Sequence, residues 1–421
     1  MGVLSGLEPK RVFEIFEELC AIPHGSRNTK AVSDWCVEFS KARGLEHYQD
    51  GANNVIIIRE AAPGYENAAP VILQGHLDMV CEQEPGCGKD MAREGLDLAV
   101  EGDLVYAKGT TLGGDDGIAV AMALAILDDP SLPHPRLEVV LTTEEEIGML
   151  GAAALDVSPL RGRQLLNLDS EEEGVFTVSC AGGSLTRCTL PVERTPFAGT
   201  ALQIRVSGLV GGHSGAEIHK GRANADMLLG RVLGAMAAET ELRLVSAGGG
   251  LKDNAIPVAA EAVAVAADAG HATAAAERLA AALKAEYQAT DPGLAVEVCP
   301  AGAAEMPMDA GSTRRALCLL ACAPNGVQEM SHDIPGLVQT SLNLGILETT
   351  GVELSAAFCV RSSVASQKEM LHSRLRCLTE ALGGTVDITG DYPAWEYRRD
   401  SALRDRMTEV FREQYGREPK I

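Results

Sequence analysis

Residues 71–78 read VILQGHLD, an apolar run from Val71 to Leu73 that gives way at once to Gly75, His76 and Asp78. A short apolar run bounded by a polar, glycine-containing turn reads as a buried strand, and the loop at the carboxyl end of such a strand is where parallel α/β sheets place their chemistry. The same pattern recurs on either side, in Asn54 to Ile58, Leu137 to Thr142 and Leu165 to Leu168. Between them Gly117 to Leu127 reads as an apolar helix. Val12, Ile15, Phe16, Leu19 and Cys20 recur at helical spacing ahead of Pro23 and predict an amphipathic opening helix. This first part is therefore an α/β layer structure.

After Gly182-Gly183 the rhythm changes. Strand-like Leu202 to Val206 leads to a helix over Ala223 to Met236, strands Leu242 to Val245 and Val258 to Ala266, an Ala-rich helix Thr273 to Tyr287, and strand Leu294 to Val298. A second round follows with helix Arg314 to Cys322, strands Val338 to Leu344 and Leu354 to Val360, helix Lys368 to Leu382 and strand Thr385 to Ile388. Antiparallel strands with helices on one face satisfy this order. The expected organisation is a catalytic domain over residues 1–182, an inserted α+β lid over 183–390, and a return to the catalytic domain over 391–421.

A chain of 421 residues exceeds what one core usually supports, which agrees with two domains. No run reaches the roughly 18 apolar residues that span a bilayer, so no membrane partner is expected. The N-terminus shows no basic and apolar leader, and eleven scattered cysteines without a CxxC pair read as reduced thiols; both predict a cytoplasmic protein. A formal charge of −23, from 59 acids against 36 Lys and Arg, disfavours nucleic acid. Some of those acids are available to a metal.

Four segments carry them. His76 and Asp78 lie two apart, so in an extended segment both face one side, where His76 could bind a metal while Asp78 holds its other ring nitrogen. Gly113-Gly114-Asp115-Asp116-Gly117 closes a glycine-rich loop just before the apolar helix. Thr143-Glu144-Glu145-Glu146-Ile147-Gly148 follows the strand that ends at Thr142, and Asp169 follows the strand at Leu168, ahead of an acidic run Glu171 to Glu173. Each alone has an ordinary reading: a polar loop, a helix N-cap, a solvated turn. Together they deliver His, Asp and Glu to one sheet edge. There one Glu could bind metal and its neighbour act as general base toward water. Imidazole with carboxylates and no thiolate suits a catalytic zinc pair and also admits manganese or cobalt.

QGHLDMV, GTTLGGDDGIA, TTEEEIGMLGA and LNLDSEEEG, with GGHSGAEIHKGRANA and DNAIP further on, resemble in order the bacterial aminoacyl-histidine dipeptidases of the carboxypeptidase and carnosinase zinc metallopeptidase family. The resemblance implies one zinc on His76 and Asp169, a second on Glu146, Asp115 bridging them, Glu145 as general base and Asp78 orienting His76. It implies a cis Asp115-Asp116 peptide, with Asp116 departing from an Asn common in relatives. In the lid it makes His213 the oxyanion histidine, with Asn254 and Arg361 as substrate-binding residues. The implied activity is hydrolysis of a small dipeptide substrate, preferentially Xaa-His, and a homodimer is compatible with it. The competing expectations are an N-acyl amino acid amidohydrolase using the same metals, and a shortened homologue with weak or no catalysis.

The family's catalytic domain normally continues past the equivalent of Ile421, adding a strand, a helix and a histidine for the second metal. None of His271, His332 or His372 has a matching context. Leu403 to Tyr415 reads as a helix and Lys420-Ile421 as the start of a strand. The expectation is a truncated form of an active enzyme; were the short chain itself the product, the His76 and Asp169 site would keep zinc while the Glu146 site would be weak.

Overall fold

The computed structural model describes residues 2–170, 172–302 and 305–421; Glu171, first of the acidic run after Asp169, lies outside them. Contacts divide the chain into one unit of Met1–Phe176 with Ala402–Ile421 and another of Thr177–Ser401. The chain thus leaves the first unit at Phe176, slightly before the glycine pair at which the composition shifts, and re-enters it at Ala402, slightly after the end of the last strand read from the sequence. Among the described residues no helix is long and apolar enough to cross a membrane.

The first unit contains α1 (Lys10–Cys20), α2 (Lys30–Ala42), β1 (Glu46–Gln49), β2 (Val55–Arg59), β3 (Val71–His76), β4 (Leu98–Glu101), β5 (Leu104–Ala107), α3 (Gly114–Asp128), β6 (Leu137–Thr142), α4 (Leu150–Ala154) and β7 (Gln164–Asn167). Its main sheet runs β1-β2-β6-β3-β7. The α/β class holds and the pairing is mixed: β6, β3 and β7 are parallel, while β1 and β2 form an antiparallel edge against β6. Because the three parallel strands share a direction, the residues after His76, Thr142 and Asn167 emerge at one sheet edge. Val55 to Ile58 and all of β6 are buried, so both faces are covered, by helices on one side and the Leu155 and Leu160 segment on the other. At the end of the chain Lys420 bridges Val175 in parallel, and the Phe176 N–H donates to the Lys420 carbonyl at 2.8 Å.

Besides the short β1 and α4, the sequence reading left out α2 and the β4/β5 hairpin, and for these two the reason is physical. In α2 the inward face includes Ser33 and Ser40, whose hydroxyls donate to the Asn53 and Cys36 carbonyls, so a buried face carries polar letters. The β4/β5 hairpin turns on Gly102-Asp103, with Gly102 at φ 62°, but its strands are too short to show a period.

The second unit is built on a nine-stranded antiparallel sheet. Its order is Ala295–Pro300, Thr200–Ser207, Ala260–Ala266, Leu242–Gly249, Val338–Thr349, Glu353–Ser362, Gly182–Pro191, Thr385–Tyr392, with Gly326–Met330 beside Val338–Thr349. Leu202, Ile204 and Val206 alternate inward and meet Leu228, Leu229, Val232, Leu233 and Met236 of the helix Ala225–Glu239. The Ala-rich segment is a helix, Ala269–Glu286, capped by Asp268 on the His271 N–H and buried through Ala272, Ala275, Ala276 and Leu283. His372, on helix Ala365–Ala381, bonds Ser184 Oγ through Nε2 at 2.7 Å; both residues are buried, so the pair fastens that helix to strand Gly182–Pro191.

Asp226 stands out in this core: it is fully buried, and among the described residues neither carboxyl oxygen has a hydrogen-bond partner. Burial pushes its carboxyl up to about 8. The folded state therefore holds a proton that the unfolded chain releases near pH 4, and stability falls as pH rises from there to about 8. Asp226→Asn should remove this slope and stabilise the protein by about 2 kcal/mol at pH 8.5, with little effect at pH 4. Equal melting curves for the two forms at pH 8.5 would contradict this.

Candidate active site

His76 closes β3 and is 1% exposed. Its Nδ1 lies 2.9 Å from the Asp78 carbonyl oxygen and 3.5 Å from Asp78 Oδ1. Its Nε2 faces Asp115 Oδ1 at 2.9 Å and Asp169 Oδ1 at 3.8 Å. Burial alone would lower the imidazole pKa, but hydrogen bonds to Asp169 and Asp78 and the Asp116 charge prevail and push it up to about 11. The pocket of carboxylates thus calls for positive charge at this point.

Asp78 does more than face the ring. Its carboxylate accepts the Glu145 N–H at 3.0 Å, the Glu146 N–H at 3.4 Å and the Ser26 hydroxyl at 2.8 Å. Burial opposes its charge, yet the His76 contact and these donors hold it below the usual carboxylate range. One buried acid so ties the loop after β6 to the end of β3. The acidic triplet divides its work accordingly. Glu144 takes a left-handed φ of 57° and its carboxylate accepts the Arg27 N–H at 2.8 and 2.9 Å, which makes it a structural anchor. Glu145 and Glu146 remain half-buried; burial, then surrounding acids including Asp115, outweigh His76 and raise both.

Asp115 and Asp116 do not follow a strand. They sit in the first turn of α3 with non-helical backbone, after Gly113 at φ 70°, and the peptide between them is cis. Asp115 is exposed, whereas Asp116 is 2% exposed and accepts the His76 N–H on Oδ2 at 3.0 Å. Burial first, then the Asp169 and Asp115 charges, push Asp116 up to about 7 despite the hydrogen bond from His76. A Cβ at Gly75 would lie 2.6 Å from Asp116 Oδ2, so only glycine lets this acid reach the strand.

Two donor groups result, His76 with Asp116 and Asp169, and His76 with Asp115 and Glu146, the ligand atoms of each lying within 4.8 Å of one another. The nitrogen and oxygen donor set, without thiolate, fits a hard or borderline divalent cation. Both groups draw on the same imidazole, and among the described residues neither includes a second histidine. The adjacent carboxylates of Asp115 and Asp116 read as available to a metal pair, but the resemblance assigns only Asp115, so Asp116 was not expected among the ligands. Ser26 and Arg27 were missed too: they precede α2, well ahead of His76 in the chain, and carry no motif of their own.

The lid candidates gather within the second unit. His213 pairs with Ala255 across a short antiparallel bridge, and the Ser214 N–H donates to the Asn254 carbonyl at 2.9 Å. His213 is exposed, its Nδ1 accepting the N–H groups of Gly215 and Ala216 at 3.2 and 3.0 Å. A Cβ at Gly215 would lie 3.0 Å from the His213 ring and 3.2 Å from Arg361 Nε, so His213 and Arg361 are neighbours about this glycine.

Residues 72–421 match the model of peptidase family M20/M25/M40. The chain is 36% identical over 425 residues to the cytosol non-specific dipeptidase of Escherichia coli K12, spanning 100% of this chain and 88% of that protein. Among solved structures it is similar to the aminoacylhistidine dipeptidase of Vibrio alginolyticus, with a TM-score of 0.93 and 34% identity over 99% of this chain and 86% of that one. A Staphylococcus aureus tripeptidase, at TM-score 0.51 and 15% identity over 97% of this chain and 82% of that one, shares the fold. With a family model covering most of its length and a relative this close over all of it, the chain belongs to peptidase family M20/M25/M40.

Proposed function

We propose that the protein is a metal-dependent dipeptidase that cleaves unblocked dipeptides, preferentially Xaa-His, in the cytosol. The observation that carries this is the meeting of His76, Asp115, Glu145, Glu146 and Asp169 at one sheet edge, in a chain whose relatives include a cytosolic dipeptidase and an aminoacylhistidine dipeptidase. His76 and Asp169 would hold one divalent cation and Glu146 a second, with Asp115 between them; zinc suits the donors, and manganese or cobalt remain compatible. Bound there, the cations supply Lewis acidity that makes water acidic and polarises the peptide carbonyl.

The chain's own groups do the rest. Glu145, raised by burial, accepts the proton of the attacking water on its carboxylate and returns it to the leaving amine. Asp78 fixes the His76 ring and the Glu145 backbone together, so that ligand and base keep one geometry. To the second unit we assign the substrate contacts: His213 to the developing oxyanion, Asn254 to the substrate backbone, and Arg361 to the terminal carboxylate. The reading is tested by offering β-alanyl-histidine, glycyl-histidine and N-acetyl-histidine to the zinc-loaded protein. Hydrolysis of the free dipeptides at least about 100-fold faster than of the blocked amino acid is expected. The reverse order would make it an N-acyl amino acid amidohydrolase.

A further inference from the structure

Arg361 is the one guanidinium to which the proposed function gives a substrate contact, and its surroundings set how it can make one. Its Nη1 donates to the Tyr392 hydroxyl at 3.4 Å. Its Nε is buried and, among the described residues, meets no oxygen acceptor, the Cys359 thiol being the side chain that lies against the guanidinium. Side-on recognition of a carboxylate uses the Nε edge of the fork, and with Nη1 on Tyr392 this edge is left with no acceptor stronger than the Cys359 thiol. Gly215 keeps it so, because a Cβ there would stand 3.2 Å from Nε. Nearby, Ser214 is 3% exposed and its hydroxyl lies against the same Cys359 thiol.

Tyr392 is itself held. A Cβ on Gly183 would come within 2.5 Å of the Tyr392 hydroxyl, so the phenol lies directly over a residue that must be glycine. The buried Lys368 donates to the Tyr392 carbonyl at 2.6 Å and pairs with Asp391. The ring is thus fixed at its backbone by one contact and at its tip by another.

We propose that Tyr392 is a positioning residue for substrate binding: by occupying Nη1 it turns the Nε edge of Arg361 toward the dipeptide's terminal carboxylate. The inference rests on the dipeptidase reading above and adds a residue to it. Tyr392 neither gives nor takes a proton in the reaction, so its effect falls on binding.

The test compares the zinc-loaded wild type with Tyr392→Phe, which keeps the ring and removes only the hydroxyl, on glycyl-histidine and on its C-terminal carboxamide. Loss of a hydrogen bond to a charged group predicts a KM for glycyl-histidine raised about tenfold, with kcat within about twofold and the carboxamide KM unchanged. Gly183→Ala, which pushes the phenol aside, should move KM the same way. An unchanged KM in Tyr392→Phe overturns the proposal, as does an equal rise on both substrates, which would mark a general distortion. In either case dipeptide turnover by the wild type leaves the dipeptidase reading standing. A wild type that hydrolyses neither substrate removes that reading and this one with it.

Discussion

Glu145→Gln should lower kcat on glycyl-histidine by about 1,000-fold, within the range that a positioned general base contributes, while leaving bound metal unchanged. Gln keeps the size and most of the polarity of Glu but cannot accept a proton. Nothing in the fold depends on the carboxylate itself, because Asp78 anchors this residue through its backbone N–H. A variant that retains its metal and still turns over at a tenth of the wild-type rate would show that the base lies elsewhere. Glu144→Gln, by contrast, alters a side chain that accepts the Arg27 N–H, and its effect should be felt in the folding of the loop and far less in the chemistry.

Asp115→Asn should cost at least about 100-fold in activity and release the more weakly held cation. The expectation follows from the donor inventory: the group of Asp115 and Glu146 shares His76 with the group of Asp116 and Asp169, and one imidazole nitrogen cannot serve two ions equally. In the wild-type chain, metal titration should therefore show one tight site and a second at least about tenfold weaker. Elemental analysis after gel filtration checks both statements. Two tightly held ions per wild-type chain, or full metal content in Asp115→Asn, would contradict them.

Much of this architecture is legible in the sequence, and for identifiable reasons. Val71 to Leu73 and Leu137 to Thr142 are apolar without alternation because β3 and β6 are covered on both faces, and their carboxyl ends share an edge because they are parallel. That is why His76, Glu145, Glu146 and Asp169 could be collected from separate motifs. The GGDDG segment shows the limit. It reaches the same place from a helix start, and which of its two acids is buried depends on how close Gly75 lets the backbone approach, a packing fact invisible in the letters. The same holds for Asp78, whose donors come from Ser26, Glu145 and Glu146. In the second unit, periodicity locates the helices and most strands. It says nothing of Tyr392 over Gly183, since that contact joins the first strand of the unit to its last and involves one ring.

The central claim is that this carboxylate cluster is a divalent-metal site for dipeptide hydrolysis, and it is tested most directly by stripping the metal and restoring it. The protein is treated with a chelator, freed of it, and titrated with zinc while glycyl-histidine hydrolysis and bound zinc are measured on the same samples. The account predicts that hydrolysis vanishes with the metal and returns in proportion to zinc bound. Hydrolysis that persists in the metal-free protein, or zinc that binds without restoring any dipeptide turnover, would contradict it.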